Sequence, residues 1–68
     1  MWNYEGKWIK VTYLNEFTVS GFVESSRVSY GGGVLHTIVL DKPLNMRWRN
    51  EAATRLIVKH ENILQVKG

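Results

Sequence analysis

Three consecutive glycines, Gly31 to Gly33, separate two runs of residues that favour β-strands. The first run spans residues 17–30 and the second spans 34–40, and both are rich in β-branched residues. A glycine turn between two such runs predicts a β-hairpin, and no helical pattern of comparable length competes with it. The chain is therefore expected to be built from antiparallel strands.

The length of 68 residues predicts one domain, spanning residues 1–68. A domain of this size buries only about 60% of the surface that its unfolded chain exposes, so its stability is expected to be marginal. The chain has no cysteine, which excludes disulfides and thiolate metal sites. A well-closed barrel or self-association is the remaining source of additional stability.

The amino-terminal residues lack the charged segment and apolar run that mark a signal peptide. The longest apolar runs, such as 38–40 and 56–58, are far shorter than the roughly 20 residues that cross a bilayer. We therefore expect a soluble, cytoplasmic protein that does not contact a membrane. The formal net charge of +3 favours anionic partners without requiring nucleic acid.

Alternation of apolar and polar residues predicts five or six short strands. Their expected positions are 7–14, a long second strand starting at residue 17, 34–40, 44–49, 55–59 and 63–66. Gly21 is expected to mark a bend in the second strand, with a bulge at Ser25 and Ser26. Pro43 is expected to help end the third strand, since it cannot donate to a ladder. Residues 50–53 are expected to form a turn or a single helical turn.

The order of these segments is a strand, a long bent strand, a hairpin, another pair, and a short connector at 60–62 before a terminal strand. This order resembles the small SH3-like barrels, a group that includes Sm-type, Tudor-type and KOW-type domains. The resemblance covers most of the chain and implies an all-β fold, a single small SH3-like or Sm-like barrel of five to six short antiparallel strands. A one-turn connector would precede the last strand.

Closure into a barrel is also the way in which so few residues can bury one face of a sheet and remove its edges. An OB barrel is the competing architecture, although the helix that it places between strands has no counterpart in this sequence. The glycine and asparagine signature of the Sm uridine pocket is absent, so no Sm binding residue is transferred to this chain.

Residues that could support catalysis are sparse. His36 and His60 lie in different segments, and no cluster of His, Asp and Glu has metal-ligand spacing. The serines lack a nucleophile-elbow context, and the glycines lack the lysine and following helix of a phosphate-binding loop. We expect no enzymatic activity, no metal and no cofactor. His36 is interpreted as a hydrogen-bonded, partly buried imidazole rather than a general base.

Nucleic acid is the leading predicted ligand. Arg47, Trp48 and Arg49 interleave two guanidinium groups with an indole, and Arg55 follows closely. Guanidinium groups pair with phosphates and an exposed indole stacks on bases, a combination that suits RNA or single-stranded DNA. On one strand face the two arginines would lie about 7 Å apart, close to the phosphate spacing. Three more residues are expected to extend this surface, namely Arg27, Tyr30 and Lys42. Packing of Trp48 into the core is the open alternative.

Interaction with a protein or a small ligand is the second hypothesis. Trp8 and Phe22 fall on the face opposite the presumed core, and exposed aromatic residues of this kind mark interfaces. Trp2 and Tyr4 either belong to the same interface or fold back to plug one end of the barrel. Such a module would form a homo-oligomer and could sequester a nucleotide-like anion between subunits. Small accessory proteins of phages and mobile elements have this composition.

Overall fold

The computed structural model describes residues 2–67, which form one antiparallel sheet. Its strands are β1 (Trp8–Tyr13), β2 (Phe17–Val28), β3 (Val34–Leu44), β4 (Ala53–Lys59) and β5 (Ile63–Lys67). A 3₁₀ turn, η1 (His60–Asn62), links β4 to β5, as the short connector predicted. The all-β prediction is confirmed, with five strands. No helix within the described residues has the length and apolar character needed to traverse a bilayer.

The predicted closure into a barrel is not confirmed. The strand order across the sheet is β4-β3-β2-β1-β5, so β4 and β5 are the two edge strands. Within residues 2–67 these two edges are not paired with each other, and the sheet stays open. The SH3-like and Sm-like details of the prediction therefore stay unconfirmed.

The glycine run forms the predicted hairpin between β2 and β3. The last pair before the turn is Val28 opposite Val34. The Ser29 amide donates to the Gly33 carbonyl at 2.6 Å, which closes the turn. Gly31 has a φ of 105° and lies in the left-handed region that glycine adopts without steric cost. The hairpin is therefore determined by local sequence.

Gly21 lies where β2 approaches the backbone of β3 closely, and the bend expected there stays a prediction. A Cβ atom on Gly21 would lie 2.6 Å from the Val39 carbonyl oxygen, so the two backbones approach too closely for any side chain. The β2–β3 register then shifts between Val23 and Ser25, just before the bulge predicted at Ser25 and Ser26. A bulge increases the local twist of a strand, and glycine permits the close approach of a neighbouring backbone.

Two predicted boundaries around Pro43 are wrong. β3 does not stop at residue 40 but continues to Leu44. The β3–β4 ladder is irregular between Val39 and Leu44, so Pro43 lies where no ladder partner requires its missing N–H. The strand predicted at 44–49 is absent, and residues 45–52 form a loop whose ends are joined by the pairing of Leu44 with Ala53.

The core lies on one face of the sheet, where alternate residues of four strands point inward. Its nine buried hydrophobic residues are Ile9, Val11, Val23, Ile38, Leu40, Met46, Ala53, Leu56 and Val58. Ile63 of β5 packs against this cluster from the edge and is only partly buried. The opposite face of the sheet, called here the outer face, carries the side chains considered below.

Candidate nucleic-acid interface

Trp48 lies in the loop 45–52 and is 54% exposed, so it is outside the core. Met46 of the same loop is the residue that inserts into the core, with only 4% of its surface exposed. The Trp48 ring leans against Phe17, with ring centroids 6.0 Å apart and planes inclined by 58°. Met46 therefore anchors the loop while Phe17 supports an indole that solvent can reach.

Two arginines flank this indole. The Arg47 Nη2 atom lies 3.2 Å from the Glu16 Oε1 atom, in an ion pair whose two side chains are both exposed. Arg49 is exposed and forms no ion pair among the residues that the structure describes. A turn hydrogen bond from the Arg49 amide to the Met46 carbonyl, 3.0 Å long, fixes the backbone between them. Phe17, Arg47, Trp48 and Arg49 are called the Trp48 surface below.

The other predicted nucleic-acid residues lie elsewhere on the sheet. Arg55 is opposite Val39 on the outer face, and its Nε atom pairs with the Glu24 Oε2 atom at 3.2 Å. Lys42 is exposed near the end of β3 that leads into the loop. Arg27 and the fully exposed Tyr30 lie at the hairpin, which is at the other end of β3. The seven predicted residues therefore do not gather into one patch.

The aromatic residues of the interface hypothesis fall into two groups. Trp8 and Phe22 are directly opposite each other on β1 and β2, and their rings form an edge-to-face pair with centroids 6.1 Å apart. Both remain more than one third exposed on the outer face. Trp2 is also exposed, whereas Tyr4 is half-buried and packs against the core. Tyr4 thus folds back onto the sheet, and Trp8 and Phe22 face solvent.

A hydrogen-bonded chain of three side chains lies beneath Tyr4. The His36 Nδ1 atom is 2.7 Å from Ser26 Oγ, and its Nε2 atom is 2.9 Å from His60 Nδ1. Tyr4 stacks on the His36 ring with centroids 5.4 Å apart and donates its backbone N–H to Ser26 Oγ. His36 is completely buried, and both of its ring nitrogens are satisfied.

This arrangement confirms that His36 is a hydrogen-bonded imidazole, but its ring is completely rather than partly buried. Burial lowers the pKa of His36 below its ordinary value, and the neighbouring charge of His60 lowers it further. The His36 Nε2 atom faces the His60 Nδ1 atom. If both rings were protonated, two N–H groups would therefore point at each other. Sequence reasoning missed the contact with His60 because 24 residues separate the two histidines.

Residues 2–67 contain no group of three or more His, Cys, Asp or Glu side chains that could hold a metal ion. Comparison of the chain with known proteins finds no matching family model, no similar curated protein and no similar solved structure.

Proposed function

We propose that this protein is a non-enzymatic binding module for single-stranded nucleic acid and that the Trp48 surface is its contact site. The observation that carries the proposal is the exposed Trp48 indole, which Phe17 supports from one side and two arginines flank in the same loop. Stacking of a base on an aromatic side chain contributes about 1–3 kcal/mol and tolerates any base sequence. Arg47 and Arg49 would contact the phosphates on either side of the stacked base.

The ion pair between Arg47 and Glu16 does not oppose this function. Both side chains are exposed to solvent, and exposed pairs of this kind contribute only about 0–1 kcal/mol. A guanidinium carries five N–H donors, so Arg47 can donate hydrogen bonds to a phosphate while it stays paired with Glu16, or can exchange the carboxylate for the phosphate. The net charge of +3 favours the approach of a polyanion.

Replacing both Arg47 and Arg49 with alanine is expected to weaken binding of a mixed-sequence single-stranded oligonucleotide at least tenfold while leaving the fold intact. The logarithm of the affinity falls linearly with the logarithm of the salt concentration, and each lost phosphate contact should make this slope less steep by about 0.7. Fluorescence anisotropy of a labelled oligonucleotide over a salt series measures both quantities. Trp48→Ala should weaken binding with little change of this slope, because stacking releases no counterions.

The matched control is the double variant Arg27→Ala, Lys59→Ala, which removes the same charge at the hairpin end. Both residues lie opposite Leu35, away from the Trp48 surface. This control should retain most of the affinity. Equal losses in the two double variants would mean that binding depends on total charge and would refute the assignment to the Trp48 surface.

Self-association is a second candidate, favoured by the free edge of β5. Leu64 is 60% exposed on this edge strand. Val66 is also exposed although it lies opposite the buried Ile9, so the apolar face is incompletely covered there. An exposed edge strand with apolar side chains is a template for pairing with another strand. We infer that two copies pair through β5.

Pairing of two copies through β5 predicts a dimer in solution. One charged residue introduced on this edge strand should disrupt the dimer. Light scattering coupled to size exclusion should give twice the chain mass for the unaltered protein and the monomer mass for Leu64→Lys. Thr12→Lys is the control, because Thr12 lies on the interior strand β1 and pairs with Thr18. A monomer at all concentrations of the unaltered chain would rule out the dimer and leave the Trp48 proposal untouched.

A further inference from the structure

The outer face contains a groove of about 300 Å³ that runs across β2, β1 and β5. Its lining residues are Trp8, Ile9, Lys10, Ser20, Gln65 and Lys67. We call it the Trp8 groove. Residues on three different strands line the groove, and none of these lining residues is acidic.

The register of the sheet arranges these side chains in two rows. Trp8 lies between Phe22 on β2 and Lys67 on β5. Lys10, two residues further along β1, lies between Ser20 and Gln65. Neighbouring strands are about 4.8 Å apart and alternate residues of one strand about 7 Å apart. Both lysines therefore border the indole, one across the sheet and one along the strand.

The indole and the lysines are available to a ligand. Trp8 is 45% exposed and its ring makes an edge-to-face contact with Phe22 on β2, whereas Lys67 lies opposite Trp8 on the other neighbouring strand, β5. Neither Lys10 nor Lys67 takes part in an ion pair within the described part of the chain. The side chains of Ser20 and Gln65 add hydrogen-bond donors and acceptors on either side of Lys10.

We propose that the Trp8 groove binds a nucleoside phosphate, with the base stacked on Trp8 and the phosphate between Lys10 and Lys67. A flat aromatic ring and a dianionic group match an indole bordered by two ammonium groups. The volume lies at the lower limit for small-molecule sites, which suits one nucleotide. The ligand is either a free nucleotide or the phosphorylated end of a strand. No residue of the Trp48 surface is involved, so either proposal can fail without the other.

The test is isothermal titration calorimetry of the full chain with adenosine monophosphate, adenosine and inorganic phosphate. The monophosphate should bind more tightly than either half of the molecule. Trp8→Ala, Lys10→Ala and Lys67→Ala should each weaken its binding about tenfold, in line with the loss of one stacking or charged contact. Lys59→Ala removes the same charge from β4 and should leave binding unchanged. Thermal melts establish that each variant is folded.

The proposal would be overturned by the absence of monophosphate binding at millimolar concentration, by inorganic phosphate binding as tightly as the monophosphate, or by equal losses in Lys59→Ala and the groove variants. Loss of monophosphate binding in Trp48→Ala would place the ligand on the Trp48 surface and would also refute binding in the Trp8 groove. If a terminally phosphorylated oligonucleotide displaces the monophosphate and its unphosphorylated form does not, the ligand is the phosphorylated end of a strand. If neither oligonucleotide displaces it, the ligand is the free nucleotide.

Discussion

Substitution of Gly21 by alanine is expected to lower the free energy of unfolding by about 3 kcal/mol, at the upper end of the usual cost of overpacking. The added Cβ would lie 2.6 Å from the Val39 carbonyl oxygen and 3.1 Å from its carbonyl carbon. Both atoms belong to the backbone, so no side-chain rotation can relieve the contact. Urea denaturation followed by circular dichroism measures the change.

Ser20→Ala is the matched control for this substitution. Ser20 precedes Gly21 on β2 and is exposed, so its loss should change the free energy of unfolding by no more than about 0.5 kcal/mol. A Gly21→Ala protein as stable as this control would show that β2 and β3 can separate at Gly21 without cost. The close approach of the Val39 backbone would then not be what requires glycine at this position.

Local sequence patterns predicted the features of the fold that depend on neighbouring residues. The glycine hairpin and the connector at residues 60–62 both have a short-range cause, either backbone freedom or the interruption of an alternating pattern. The strand prediction was wrong at residues 44–49, where the alternation of Leu44, Met46 and Trp48 with polar residues predicts a strand. Met46 is buried from within a loop, which a periodicity argument cannot distinguish from a strand.

The candidate sites depend on contacts that sequence patterns do not encode. The Trp8 groove exists because β5 pairs with β1 and brings Lys67 opposite Trp8 from the other end of the chain. The hydrogen bonds that link the side chains of Ser26, His36 and His60 similarly join β2, β3 and η1. By contrast, Arg47, Trp48 and Arg49 are consecutive, and their association in one exposed loop could be found from sequence even though the strand predicted there was wrong.

Stability is expected to fall as the pH decreases below the ordinary histidine pKa of about 6.5, and His36 is the reason. Burial lowers the pKa of His36 in the folded protein, so the unfolded chain binds the proton more readily. The stabilisation is therefore fully present above about pH 6.5 and is lost as the pH falls toward the lowered value. For one proton, the slope can reach about 1.4 kcal/mol per pH unit. Urea denaturation at a series of pH values measures it.

Replacing His36 with glutamine should remove this slope, because an amide can form hydrogen bonds with Ser26 and His60 but does not titrate. The variant is expected to be less stable than the unaltered protein above pH 6.5, by about 2 kcal/mol, since it loses the Tyr4 stacking contact and the fit of a fully buried ring. The two proteins should approach each other in stability as the pH falls. A variant that keeps the full slope would show that the pH dependence arises elsewhere in the protein and that the buried imidazole has no part in it.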